Sequence, residues 1–375
     1  MFRIKRYTAA KAIIIAIVLM SLLLSGCIGP RGWPGGVVEG DTVYVGSMDG
    51  KVHALNLEGG IRWSWEPPVE TSSGILSCAS GGQFSAGMVY APPVVTDDII
   101  YVASYSGKVY AINAGSRVDV WSEPYDTKSN IAGGVAVADG TLFVGCSDGT
   151  LHAVDVATGM LKEGFPFQAE DKIWSTPVVE DGVVYVGSLD HKLYAVDMYT
   201  GELKWNEPFE AGGGIVAPPL IVEGVVYVGS FDSSFYAVNA GDGEQKWVYD
   251  APRDWVWAEA VYGNGTIYFG SMDSSVYAVD AGNGTQKWSK PISGPVSSAP
   301  VIAGDVLVVA SENGTVYWLD LDAGEEKWRS LSVDSKVLAP LSASGNEVYL
   351  NAQDNKFYKF DATTGQQEWR VLLSE

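Results

Sequence analysis

Apolar and polar residues alternate with period two in short runs along most of the chain, most plainly over 183–205, VVYVGSLDHKLYAVDMYTGELKW. Such alternation puts one set of side chains on each face of a strand, and Asp- or Gly-rich spacers between runs are hairpin turns. With the run that precedes it, the stretch predicts a four-stranded antiparallel unit at 175–179, 183–188, 192–197 and 202–207.

The same pattern recurs eight times. The residue ending each second strand is Gly46, Ala103, Gly145, Gly187, Gly229, Gly270, Ala310 and Asn351, spaced 57, 42, 42, 42, 41, 40 and 41 apart. A unit of this size made only of strands and tight turns cannot bury both faces of its sheet alone, so the copies must pack against one another. The expected fold is all-β: an eight-bladed β-propeller of four-stranded antiparallel blades over 33–375, with blades at about 33–66, 90–124, 132–167, 174–208, 215–250, 257–291, 297–332 and 337–373. Blade one owns a first strand and blade eight a fourth, so closure by face-to-face packing is expected, without an exchanged strand.

The third and fourth strands carry a more specific signature. Blade four has Ala195, Asp197, Thr200, Gly201 and Trp205; blade five Ala237, Asn239, Gly243 and Trp247; blade six Ala278, Asp280, Gly284 and Trp288. Blade eight keeps Asp361, Thr364, Gly365 and Trp369 with Lys359 for the Ala, and blade seven keeps Asp320, Gly324 and Trp328 with Trp318 there. Blade one holds Ala54, Asn56 and Trp63, and blade two Ala111, Asn113 and Trp121 with Arg117 for the Gly. Blade three has Ala153, Asp155, Thr158 and Gly159 but Glu163 for the Trp. This resembles the tryptophan-docking motif AxDxxTGxxxW of pyrroloquinoline-quinone-like (PQQ-like) propeller repeats, described for quinoprotein alcohol dehydrogenase-like folds. A large indole on an outer strand needs a small neighbour, and Ala and Gly supply it. Each Trp buries ~150–250 Å², a gross ~4–6 kcal/mol before entropy. Trp63, Trp121, Trp205, Trp247, Trp288, Trp328 and Trp369 are therefore expected to be structural bolts, and blade three to be the weak seam.

The first 26 residues differ in kind. Arg3, Lys5, Arg6 and Lys11 precede an uncharged apolar run over 12–24, which reads as an export signal too short for a comfortable membrane span. It ends in Leu24, Ser25, Gly26 and Cys27, which resembles a bacterial lipobox. That resemblance implies cleavage after 26, acylation of Cys27 and a short tether over 27–32 that holds the propeller close to membrane lipid. The mature chain, without the leader's four basic residues, has a formal charge near −25. No basic face exists for nucleic acid or for anionic lipid. On the oxidising side of a membrane, Cys78 and Cys146 could bridge, and closing that loop would stabilise by about 4 kcal/mol; two free thiols are the alternative.

Candidate chemistry is sparse. The PQQ-like resemblance invites a quinone-dependent dehydrogenase, but such enzymes have longer chains, adjacent cysteines and a carboxylate/Asn set for Ca²⁺; here Cys78 and Cys146 are far apart and no such set can be placed. His53 and His152 hold a third-strand position that is Tyr in most copies, which makes them packing residues, and His191 sits in a turn. No HExxH, P-loop, CxxC or GxSxG occurs. The expectation is no catalytic residue, no metal and no cofactor.

Function should show where repeats depart from one another. The position before the first strand is aromatic in four blades, Trp33, Tyr90, Trp174 and Trp257, with Lys172 near Trp174, and with Arg253, Asp254 and Trp255 near Trp257. Glu259 is the only acid at its position, and about fifteen extra residues, with Ile75, Leu76, Phe84 and Met88, interrupt 66–89. All lie on the side of the disc where fourth strands lead to first strands. Exposed aromatics mixed with Arg mark binding hot spots, so Trp33, Tyr90, Lys172, Trp174, Arg253, Asp254, Trp255, Trp257 and Glu259 form a candidate docking face for a protein; a plug for the channel is the alternative. In anchor, size and blade number the chain is similar to the lipoprotein subunit of the outer-membrane β-barrel assembly machinery. That likeness implies a monomeric, non-catalytic scaffold for a membrane or secreted protein, at the outer face of the cytoplasmic membrane or in the outer membrane facing the periplasm. A surface lipoprotein capturing a ligand or polysaccharide is the alternative.

Overall fold

Each repeat folds into its own four-stranded antiparallel sheet, with strands neighbouring one another in chain order, and there are eight such blades. The structure is a computed structural model that describes residues 34–47, 49–68 and 89–373, and no helix occurs among them. Blade five, with strands Leu220–Val222, Val225–Gly229, Phe235–Asn239 and Gln245–Tyr249, shows the plan. First strands of neighbouring blades touch one another around the axis. Second strands such as Val225–Gly229 are buried at every residue, because a blade packed on both sides has no solvent face.

One row of side chains crosses each blade and reaches the next. In blade five, Tyr227 faces Ala237 and Ala237 faces Trp247. The small Ala lets the two rings approach to 5.7 Å. Both then donate to the Ala281 carbonyl of blade six, the Tyr227 hydroxyl at 3.0 Å and the Trp247 indole at 3.0 Å. Trp121, Trp205, Trp288, Trp328 and Trp369 make the same indole bond to Val156, Ala240, Leu321, Ala362 and Leu57 of their next blades, at 2.8–2.9 Å. The glycine of the following turn makes room: an added Cβ at Gly284 would lie 2.7 Å from the Trp247 ring.

Trp63 departs from the expected role. Its counterpart in blade two is Arg117 rather than Gly, and the indole, half-buried against the cluster that includes Ile100 and Ile112, makes no hydrogen bond to blade two among the described residues. Trp65, two residues on, does the bridging, edge-on to Tyr110 of blade two at 5.1 Å. The Trp65–Tyr110 contact belongs to a second aromatic belt. Phe209 meets Tyr236 at 5.2 Å and Tyr249 meets Tyr277 at 5.7 Å across later seams.

The seam after blade three, expected to be loose, is filled by other means. Phe165 is buried 5.9 Å from Phe143 and joins the cluster that includes Val184, Val196 and Met198 of blade four. Gly164 presses so close to Thr200 that a Cβ there would meet its carbonyl oxygen at 2.2 Å.

The fourth strand of blade four also differs from the expected 202–207. It is a single bridge between Val196 and Leu203, then Phe209–Glu210. Blades two and three break likewise, with Tyr125–Asp126 and Phe167–Gln168. Pro124, Pro166 and Pro208 stand immediately before these short strands, and a proline cannot donate to a ladder.

Ring closure uses no exchanged strand. Val43, Val45 and Leu55 of blade one pack against Tyr349, Phe357 and Leu373 of blade eight. The Asn351 amide donates to the Pro34 and Gly46 carbonyls at 2.7 and 3.2 Å. Lys359, at the position usually held by Ala, is buried and pairs with Glu347 and Glu368 at 2.6 and 2.9 Å.

Candidate docking face at the channel mouth

Each first strand is entered through an extended segment whose alternate residues point into the blades. In blade six Val256, Ala258 and Ala260 are buried, whereas Trp255, Trp257 and Glu259 keep partial exposure. Val256 holds the register, because it fills the space beside Gly229, where a Cβ would come within 2.4 Å of it. Turns between second and third strands lie on the same face. Asp232 shows why these turns favour Asp: its carboxylate accepts from the Gly212 and Ser234 amides and from the Tyr236 hydroxyl, at 2.7, 2.8 and 2.6 Å. Its lone pairs are occupied in stapling the turn to the entering segment.

The entering segments build two rings at the mouth. The inner one is Gly35, Pro92, Gly134, Thr176, Pro218, Glu259, Ala299 and Pro340; the outer contains Tyr90, Ala132, Trp174, Val216, Trp257, Ser297 and Leu338. Trp33, which would complete the outer ring, lies outside the described residues, as do Cys27 and Ile75, Leu76, Phe84 and Met88. Tyr90 packs on Tyr105 at 5.1 Å, and burial pushes its pKa up to about 12. The Trp174 indole donates to the Ser147 hydroxyl at 3.2 Å. Lys172 is exposed beside Asp171, at 3.9 Å. Arg253 is exposed, with its backbone amide on Asp273 at 2.8 Å, and Asp254 accepts from the Trp255 amide at 2.9 Å.

The densest cluster joins blades five and six. Phe231 stacks on Trp255 at 4.6 Å and 25° and on Trp257 at 5.3 Å and 29°, and the two indoles are 6.4 Å apart. Phe231 was not foreseen, and neither were Tyr105, Leu189 and Met272, which occupy equivalent turn positions and are all half-buried. A signal was present: these turns read Ser-X-Asp with X large and apolar in four blades, which a solvent-facing turn does not require. The structure therefore brings Trp255 and Trp257 together and leaves Tyr90 and Trp174 in separate sectors.

Glu259 stands alone electrostatically. Among the described residues it has neither a hydrogen-bond nor an ion-pair partner, and burial raises its carboxyl to about 7. His53 and His152 are structural: His53 bonds Ser64 and Ser47 at 2.7 and 3.2 Å, and His152 bonds Tyr125 and Thr150 at 2.8 and 2.9 Å. Burial lowers the pKa of both. Cys146 is buried, with no disulfide partner among the described residues, and burial pushes its thiol up to about 11. It occupies the place held by buried serines in other blades, such as Ser188 and Ser230, whose hydroxyls donate to the Asp171 and Gly213 carbonyls at 3.1 and 3.0 Å. The bridge considered for it involves Cys78, which lies outside the described residues.

A quinone with its Ca²⁺ does not fit the residues present. Among the described residues no three His, Cys, Asp or Glu side chains converge. The inner ring at the mouth carries one carboxylate, Glu259, where a divalent cation needs several oxygen ligands.

Comparison with known proteins places this geometry. The family model described as outer membrane protein assembly factor BamB matches residues 31–163, 161–296, 253–336 and 272–375. Among solved structures, the computationally designed Ika8 protein superposes with a TM-score of 0.73 at 17% identity, over 88% of this chain and 96% of that one. BamB from Moraxella catarrhalis superposes with a TM-score of 0.69 at 17% identity, over 84% of this chain and 90% of that one. No curated protein matches.

Proposed function

Because the chain belongs to the family of outer membrane protein assembly factor BamB, we propose that it is a non-catalytic, lipid-anchored scaffold that holds a protein partner against the aromatic mouth of its propeller. The observation that carries this reading is Phe231 stacked on Trp255 and Trp257 at a face that stays partly open to solvent. Large rigid rings beside an exposed Arg253 are the composition of interface anchors, since they bury much area at little entropic cost. The rest of the repeated chemistry is consumed in the fold: turn aspartates staple loops, His53 and His152 pack, and docking indoles bolt blades.

On this reading Cys27 carries the acyl chains, and the ring stands as a monomer at the membrane surface, either in an outer membrane facing the periplasm or on the outer face of the cytoplasmic membrane. The family description supports a partner from outer-membrane protein assembly. Affinity purification from detergent-solubilised native membranes, followed by mass spectrometry, tests it. The wild-type chain should bring down a membrane or secreted protein, and the combined Arg253→Ala, Trp255→Ala and Trp257→Ala variant should lose it. Undiminished capture by that variant overturns the mouth as the docking face.

A further inference from the structure

We infer that the mouth selects a cationic side chain, the lysine of an extended partner segment, with its ammonium seated between the Trp257 ring and the Glu259 carboxylate. This rests on the docking reading above and names the chemistry of the partner.

Three observations converge on it. Glu259 is an acid set between Pro218 and Ala299 in an apolar ring, with no partner among the described residues. A carboxylate so placed, half-buried among apolar neighbours, is costly to ionise unless it is paired. Second, Trp257 stands two residues before Glu259 in the entering segment, and both keep partial exposure on either side of the buried Ala258. The Trp257 ring is held by the Phe231 stack, and aromatic faces attract cations through their quadrupole. Third, no cation among the described residues pairs with Glu259. Arg253 is exposed and forms no ion pair among the described residues, and no positive group there contributes to the pKa of Glu259.

Charge complementarity points the same way, since a formal charge of −21 draws basic segments in from solution. Lysine suits the site better than arginine. Its unbranched stem can lie along Pro218 and Ala299 while the ammonium reaches one carboxylate, whereas a guanidinium fork calls for two acceptor oxygens in its plane.

The test uses the full-length protein in detergent and two neutral-capped pentapeptides, Gly-Gly-Lys-Gly-Gly and its norleucine counterpart, followed by tryptophan fluorescence. The lysine peptide should bind at least about tenfold more tightly than the norleucine peptide. Glu259→Gln should erase that preference, Glu259→Asp should retain it, and Trp257→Ala should weaken lysine binding several-fold. Equal binding of the two peptides, no binding of either up to about 10 mM, or a preference that survives Glu259→Gln overturns the inference. Circular dichroism of each variant separates lost binding from lost folding. If partner capture from membranes is lost with the Arg253, Trp255 and Trp257 variant but is unchanged with Glu259→Gln, the docking face stands and the lysine assignment falls.

Discussion

The Trp205 indole of blade four lies against Gly243 of blade five, so close that a Cβ on that glycine would sit 2.8 Å from the ring. The same indole donates to the Ala240 carbonyl at 2.9 Å, and the Tyr185 hydroxyl joins it there at 3.1 Å. Trp205→Ala should therefore cost about 3–5 kcal/mol through cavity formation, and Tyr185→Phe only about 1 kcal/mol, because one of two donors remains. Urea denaturation of the two variants gives the ratio; equal costs would deny the indole its bolting role.

A different outcome is expected three seams further on, between blades seven and eight. Trp318 replaces the small residue of the row and is fully buried, packed 5.8 Å from Phe360. The docking indole beside it keeps its bond to Ala362 but is less covered: Trp328 is 37% exposed, whereas Trp205 is 3% exposed. Trp328→Ala should accordingly cost roughly 1–2 kcal/mol, well below Trp205→Ala, since far less apolar area returns to water. Denaturation midpoints measured side by side decide this.

These two indoles also show what was legible in the sequence. The eight sheets were readable because the second strands, VVYVG and its relatives, repeat at a near-constant spacing and alternate cleanly. The partner of each Trp was not, because it lies one blade away and depends on a glycine some 40 positions on; Arg117 was visible as a departure, but its consequence for Trp63 needs the neighbouring blade. The prolines at 124, 166 and 208 were equally visible, yet their effect on the outer strand was masked by the regularity of the Trp motif. At the mouth, Trp257 and Glu259 stood out by breaking the repeat. Phe231 was hidden, because the Asp beside it explained its turn well enough.

Lys359 at the closing seam makes a separate prediction. Burial opposes its charge, but hydrogen bonds to Glu347 and Glu368 more than offset this and leave its pKa above the ordinary lysine value. Replacing it with Met would leave Glu347 and Glu368, both more than a third exposed, without their cation and should cost about 1 kcal/mol. Hydrogen exchange should quicken at the amides around Leu57 and Tyr349, with blades four and five unaffected. Uniform loss of protection around the ring would show that closure is not the local function of this triad.

Glu259 ties the mouth to stability as well as to binding. Its carboxyl holds a proton more tightly in the folded chain, with a pKa of about 7 against an ordinary 4.5, and burial is the cause. The folded state therefore binds more protons than the unfolded state between those two values, so the group's contribution to stability is fully present below about 4.5 and is lost as pH rises through about 7. Above 7 the cost approaches about 3 kcal/mol, an upper figure because the side chain keeps some contact with water. Glu259→Gln, which carries no charge at any pH, should thus raise the denaturation midpoint at pH 8 and leave it nearly unchanged at pH 4.5. A basic segment seated at the mouth would repay the same charge, so a bound lysine peptide should stabilise the wild-type protein at pH 8 and leave the Gln variant unmoved. A Gln variant no more stable than wild type at pH 8 would mean that the carboxylate is already satisfied, and that the ring around it is wetter than its apolar lining implies.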